Sequence, residues 1–250
     1  MIFIKMKRVI FWLVILLSFT MVGVWVLNYA MGYRYNFTTR KFQKTGTLII
    51  SSRPNFCNIY LDNILIGQKT PLTYRFVLPG LHHLKITKDG YHTFEKTIEI
   101  LAGRVYEAEN IRLFLTNIGL TPSQQALDVP QSSLPTGGDW PAGAKDVVGE
   151  GDFLFYTVSD ELRWRTLDGQ NDQLITRFSS PIEKIAPYPG GNYIFALVSQ
   201  KLMVLEKEGG NLLTLLTLPA EYQAIQMIAS RAGDQLFIKL DQNLYVAQVL

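Results

Sequence analysis

Cysteine and histidine are almost missing from this chain of 250 residues. The only cysteine is Cys57, and the three histidines, His82, His83 and His92, fall within eleven positions. One thiol forms no intrachain disulfide, so any domain placed outside the cell is held by its core alone. So few soft ligands also leave little to bind a transition metal or to pair a nucleophile with a base. No serine sits in a Gly-x-Ser-x-Gly elbow, and the glycine pairs at 137–138, 190–191 and 209–210 lack the strand–helix setting of a phosphate loop. Acid is absent from residues 1–45, which carry seven Lys/Arg, whereas the rest of the chain holds 17 bases against 21 acids. The net charge of +3 is therefore a property of the N-terminus and argues against a nucleic-acid partner.

What is present begins with a long apolar run. Val9 to Ala30 contains 22 residues without a charge, VIFWLVILLSFTMVGVWVLNYA. As a helix it covers about 33 Å, enough for the hydrocarbon core of a bilayer. Trp12 near one end, and Trp25 and Tyr29 near the other, sit where interfacial aromatics belong. A cleaved signal peptide needs a shorter apolar core and a small-x-small site, and Asn28-Tyr29-Ala30 does not supply one. A retained transmembrane helix over 9–30 is the expectation, binding membrane lipid, with residues 1–8 a short basic cytoplasmic segment. Residues 31–45 are a basic segment beside the membrane. Lysines and arginines flank the run on both sides, so charge alone barely favours a cytoplasmic N-terminus.

After residue 45 the hydrophobic period becomes two. TLIIS, NIYLD, LTYRFVL, HHLKITK, TFEKTIEI and VYEAENIRL are short and rich in β-branched and aromatic residues. Asp62-Asn63 and Asp89-Gly90 suit type I′ hairpin turns, and Leu78-Pro79-Gly80-Leu81 suits a type II turn. Within PGLHHLKITKDGYHTFEKTIEI, Leu84 and Ile86 face one way while His83, Lys85 and Thr87 face the other. Phe94, Ile98 and Ile100 likewise alternate with Glu95, Thr97 and Glu99. His82 must then face away from His83, and two neighbouring strand residues cannot converge on one ion. The histidines are read as hairpin residues, mostly at the surface, and Cys57 as a small core residue. No catalytic, cofactor-binding or metal-ligating residue is assigned.

Gly46-Thr47-Leu48-Ile49-Ile50-Ser51, then Ser52 to Pro54, Ile59-Tyr60-Leu61-Asp62, Gly67 with Thr70-Pro71, Leu78-Pro79-Gly80 and Lys88-Asp89-Gly90-Tyr91 follow in order. This stretch, residues 46–114, resembles the PEGA domain, a small β-sandwich module of surface and envelope proteins. The family's signature tetrapeptide stands here as Pro54-Asn55-Phe56-Cys57 and keeps only its proline, and Asp62-Asn63 replaces the usual Asp-Gly. The resemblance implies a non-catalytic, extracytoplasmic module and so favours the cytoplasmic N-terminus.

Residues 115–146 carry Pro122, Pro130, Pro135 and Pro141 among Ser, Gln and Gly, a composition expected of a flexible linker. Trp140 is read as tacking its end onto the next domain. From 147 to 250 a repeat emerges. FLFYTVSDELRWRTLDG, YIFALVSQKLMVLEKEGG and QLFIKLDQNLYVAQVL superpose, with Phe155, Phe195 and Phe237 each followed seven residues later by Leu162, Leu202 and Leu244. A period near 40 is that of propeller blades, and the segment resembles WD40-like and TolB-like blades. About two and a half blades fit, whereas closed propellers need at least four. Either the chain is a fragment, or the sheets stack differently, or copies associate.

The expected fold is mainly β: an N-terminal transmembrane helix, a PEGA-like sandwich, then antiparallel repeats resembling an incomplete β-propeller. The expected function is that of a membrane-anchored, non-catalytic interaction or structural protein of the cell envelope. Its partner would be a protein or cell-surface polymer, with homo-oligomerisation open. An accessory or regulatory subunit of an envelope enzyme, or a transmembrane sensor, is the alternative. Asp152, Asp160, Glu161 and Asp168 are read as solvated turn carboxylates.

Overall fold

The computed structural model describes residues 2–37, 39–123, 143–219 and 224–250. Helix α1 (Ile2–Ala30) starts earlier than expected, so Lys5, Lys7 and Arg8 belong to its first turns. Its Phe11–Ala30 stretch is long and apolar enough to cross a membrane, and none of it is buried inside the protein. The few polar side chains are satisfied by the helix itself. Ser18 Oγ donates to the Ile15 carbonyl at 2.8 Å, Thr20 Oγ1 to Leu17 at 2.9 Å and Asn28 Nδ2 to Val24 at 2.8 Å. Gly32, at φ 85°, ends the helix with its N–H donating to the Tyr29 carbonyl.

Residues 31–45 are more than a basic segment. β1 (Tyr33–Asn36) and β2 (Lys41–Lys44) form an antiparallel hairpin with Tyr35 opposite Phe42. Arg34 is stacked 3.6 Å from the Tyr29 ring centre and 4.2 Å from that of Phe76, and its Nη1 donates to the Tyr29 carbonyl. The helix end is thereby fastened to the domain that follows.

That domain is a two-layer sandwich. Its strands are β3 (Gly46–Arg53), β4 (Phe56–Leu61), β5 (Ile64–Lys69), β6 (Leu72–Val77), β7 (Gly80–Thr87), β8 (Phe94–Ile100) and β9 (Val105–Arg112). One sheet runs β6-β3-β9 and the other β5-β4-β7-β8, with β3 and β9 parallel. The period-two pattern sends Leu48, Ile50, Ile59, Leu84, Ile86, Phe94 and Ile98 into one core, where Cys57 is also buried.

Asp62 and Asn63 take φ 51° and 66°, as a type I′ turn requires. The turn at Asp89-Gly90 differs from expectation, because only Gly90 has positive φ and the β7–β8 pairing stops at Ile86–Phe94. The chain there is claimed by another segment: Tyr91 bridges to Leu115, and the His92 N–H donates to the Phe114 carbonyl at 2.7 Å. Gly80, at φ 142°, lies outside type II geometry and carries the chain from one sheet to the other.

The C-terminal part has three four-stranded antiparallel sheets, half a blade more than the expected two and a half. The strands are β10 (Leu120–Pro122), β11 (Ala144–Glu150), β12 (Phe153–Val158), β13 (Glu161–Thr166), β14 (Gln173–Arg177), β15 (Ile182–Pro187), β16 (Tyr193–Val198), β17 (Lys201–Glu206), β18 (Leu213–Thr217), β19 (Ala224–Ala229), β20 (Gln235–Leu240) and β21 (Asn243–Gln248). They form blades β11-β12-β13-β14, β15-β16-β17-β18 and β19-β20-β21-β10, with β15 beside both β11 and β19. The last blade is completed from upstream: Leu120, Thr121 and Pro122 pair with Ala247, Val246 and Tyr245. Residues 120–122 are thus a strand and not linker, and Pro122 is tolerated because β10 is an edge. Trp140 and the glycine pair 137–138 lie outside the described residues.

Phe155, Phe195 and Phe237 occupy the same place in β12, β16 and β20, opposite Trp164, Val204 and Val246. Phe155 packs with Ile194 and Ala196 of the second blade, and Phe195 with Leu236 and Ile238 of the third. Both are fully buried, whereas Phe237 is half-buried because no fourth blade covers it among the described residues.

Candidate functional site

The sandwich is seated on the second blade. Phe114, just past β9, is 1% exposed and meets Tyr193 and Phe195 edge-on, with ring centres 5.5 and 5.9 Å away. The Arg112 N–H donates to Tyr193 Oη at 3.1 Å, and the Leu115 N–H to the Val249 carbonyl. Burial pushes the Tyr193 phenol well above its ordinary range, so it stays neutral and serves as an acceptor.

Beside this seam lies a polar cleft of about 350 Å³, walled by Tyr106, Glu107, Glu109 and Lys96 of the sandwich and by Asn192, Glu206, Lys207 and Glu208 of the blade. Lys96 Nζ reaches Glu208 Oε2 at 2.9 Å and Glu206 Oε2 at 3.3 Å. The Glu206 side chain is 9% exposed and also accepts from Asn211 Nδ2 at 3.2 Å. Burial works against the Lys96 charge, but the two carboxylates outweigh it and raise the ammonium's pKa. The hydrogen bond from Lys96 holds Glu208 below its ordinary range. Lys207 Nζ lies 3.4 Å from the Phe153 ring centre and 4.7 Å from that of Trp164, and burial lowers its pKa.

The turn that presents these groups demands glycine. Gly209 takes φ 86°, and a Cβ there would come within 2.9 Å of the Ile175 carbonyl oxygen. The cleft therefore combines four carboxylates with two engaged lysines. It suits a polar partner that is neutral or cationic and that can donate hydrogen bonds.

The three histidines do not meet. His82 faces away from His83, as the alternation requires, and its side chain is only 14% exposed. Its Nδ1 lies 2.6 Å from Asp62 Oδ2 and its Nε2 2.7 Å from the Leu78 carbonyl oxygen. The His83 backbone N–H takes the other Asp62 oxygen at 2.9 Å. The neighbouring histidines thus converge on one carboxylate, one through its ring and the other through its backbone. Burial opposes the Asp62 charge, but these bonds win and lower its pKa. His83 stays half-exposed, 3.8 Å from Glu95. Cys57 Sγ lies 3.3 Å from Ser52 Oγ in the sandwich core. No group of three or more His, Cys, Asp or Glu that could hold a metal ion occurs among the described residues.

Glu161 departs from the expected solvated carboxylate. It accepts from Arg163 at 3.0 Å and Arg177 at 2.7 Å, and these bonds lower its pKa. Asp168 caps its turn by accepting from the Gln170 N–H at 3.1 Å. The glycine pair 190–191 lies in the β15–β16 turn, where both residues have positive φ.

Residues 45–113 match the family model of the PEGA domain. The match begins and ends one residue before the stretch picked out in the sequence. No curated protein matches the chain. Among solved structures, a Kluyveromyces lactis Hsv2 is similar at 12% identity over 82% of this chain and 75% of that one, with a TM-score of 0.37. A second structure, "Kluyveromyces lactis Hsv2 complete loop 6CD", gives 10% identity over 72% and 51%, with a TM-score of 0.36. A nidogen/laminin complex gives 18% identity over 37% and 36%, with a TM-score of 0.31. The chain thus spans about a third to a half of the length of the last two.

The residues that make the cleft were not singled out in the sequence. Lys96 stands on the same face of β8 as Phe94 and Ile98, and Glu206 on that of Val204 in β17, so two charges at core-facing positions were the available signal, whereas Lys207 and Glu208 look like a polar turn. Only the Gly209-Gly210 pair marked the turn itself.

Proposed function

We propose that this is a single-pass membrane-anchored, non-catalytic interaction protein of the cell envelope, with its β domains outside the cytoplasm. The observation that carries this reading is α1: an apolar helix with its side chains open to the surroundings and its polar groups satisfied internally. The PEGA match supports placing the domains in the envelope. The cleft between the sandwich and the second blade is the surface for a polar protein segment or cell-surface polymer. Its carboxylates and Tyr106 supply hydrogen-bond acceptors beside an aromatic wall, and its lysines are already engaged. No cofactor is invoked.

Topology is the test. A reporter enzyme active only outside the cytoplasm, fused after Leu250, should be active, and protease added to intact cells should remove the β domains and leave an embedded stub. An inactive fusion with domains protected until lysis would reverse the orientation. Release of the full chain by alkaline carbonate would remove the anchor altogether.

A further inference from the structure

We propose that the cavity where α1 meets the sandwich binds the phosphate-bearing headgroup of an anionic membrane lipid. This rests on the reading of α1 as a membrane anchor. The cavity, about 540 Å³, opens between Ala30, Met31 and Gly32 at the helix end and the outer face of sheet β6-β3-β9. That volume is in the range of small-molecule sites.

Its chemistry is of one sign. Lys44, Arg75 and Arg104 line it together with Thr45, Thr47 and Thr73, and no carboxylate does. None of the three cations makes an ion pair among the described residues. The strand register explains the grouping. Thr47 lies between Arg75 on β6 and Val105 on β9, while Lys44 ends β2 just before β3 and Arg104 immediately precedes β9. The carboxylate next along this face, Glu107, pairs with Ile49 and lies outside the lining. Three cations without a counter-ion make a positive pocket that a phosphate oxygen would neutralise.

Position selects the source of the phosphate. The pocket begins at the last residue of the apolar helix, where lipid headgroups lie if the helix spans the bilayer. Exposed apolar side chains rim it: Met31 is 57% exposed, Phe76 49% and Val105 55%. These fit the boundary between headgroup and acyl chain, which a soluble anion would not need. Arg34, clamped between Tyr29 and Phe76, fixes the helix end against the sheet, so the pocket has a set geometry.

The test uses the full chain in nonionic detergent, with native mass spectrometry counting retained lipid. The probes are phosphatidylglycerol, phosphatidylcholine of the same acyl chains, and inorganic phosphate. One phosphatidylglycerol should be retained, phosphatidylcholine at least tenfold more weakly, and phosphate not at all. Losing a surface cation costs roughly fivefold in lipid affinity, so Arg75→Gln with Arg104→Gln should weaken retention about 25-fold, while the double Lys replacement keeps most of it. Lys44→Gln alone should cost about fivefold and serves if the double variant fails to fold. Wild-type retention by the Gln variants, or equal retention of phosphatidylcholine, overturns the proposal. Equal binding of inorganic phosphate would assign the pocket to a soluble anion. Carbonate extraction separates the two readings. A chain that washes off the membrane sinks the anchor, whereas one that stays but shows no headgroup preference sinks only the lipid pocket.

Discussion

Lys96 Nζ stands 2.9 Å from Glu208 Oε2, although the two residues are 112 positions apart in the chain. With Glu206 at 3.3 Å, a single lysine of β8 ties the sandwich to the β17–β18 turn of the second blade. The two carboxylates differ in setting. The Glu208 side chain is 73% exposed and that of Glu206 is 9% exposed. Glu208→Gln should therefore change stability by under about 1 kcal/mol. Lys96→Met should cost about 1–3 kcal/mol because it leaves the buried Glu206 with only Asn211 as side-chain partner among the described residues. Urea denaturation of both variants checks the order.

The same pair sets the pH range of this contact. Glu208 is held below its usual 4.5, so its contribution is present above that pH and is lost as pH falls further. Lys96 is raised above 10.5, so its contribution is complete below that value and is lost as pH rises through the higher folded value. The urea midpoint should decline at both ends. Glu208→Gln should flatten part of the acid limb and leave the alkaline limb, where Lys96 still faces Glu206.

Phe155→Ala and Phe195→Ala should each cost about 3–5 kcal/mol, since both rings are enclosed between blades. Phe237→Ala should cost less, because among the described residues its ring has a blade on one side only. Thermal unfolding of the three variants tests the repeat, and equal losses would mean that something covers the third blade.

His82 and His83 should behave differently despite being adjacent. His82→Gln breaks a clasp between Asp62 and the Leu78 carbonyl and should cost about 1–2 kcal/mol. His83→Gln keeps the backbone bond to Asp62 and should stay within about 0.5 kcal/mol. Chemical denaturation distinguishes them, and equal effects would mean that the clasp contributes nothing.

Gly233→Ala should destabilise the third blade by more than about 1 kcal/mol. Gly233 has φ 73°, and an added Cβ would overlap the Tyr188 ring that packs against Phe114. A variant as stable as wild type by calorimetry would show that this turn yields easily.

Much of the fold was already readable in local chemistry. The uncharged run from Val9 to Ala30 requires a helix wherever water is excluded, because only then are its backbone groups satisfied. Alternation in LKIT and FEKTIEI requires strands with Leu84, Ile86, Phe94 and Ile98 inward, since side chains in a strand point to opposite faces. The spacing of Phe155, Phe195 and Phe237 likewise fixes three equivalent sheet positions.

Tertiary structure decided what joins these parts. Thr121 becomes a strand residue only because β21 offers an unpaired edge more than 120 residues later. Tyr91 leaves its hairpin only because Leu115 is held against the third blade. Lys96, Glu206 and Glu208 form a cleft, and Lys44, Arg75 and Arg104 a basic pocket, through packing of segments far apart in sequence. Hydrophobic periodicity reports which face of a strand is buried. It puts Lys96 on the face of Phe94 and Ile98 and Glu206 on that of Val204, but it does not say which partner such a charge will find, because that depends on distances set by the docking of whole domains.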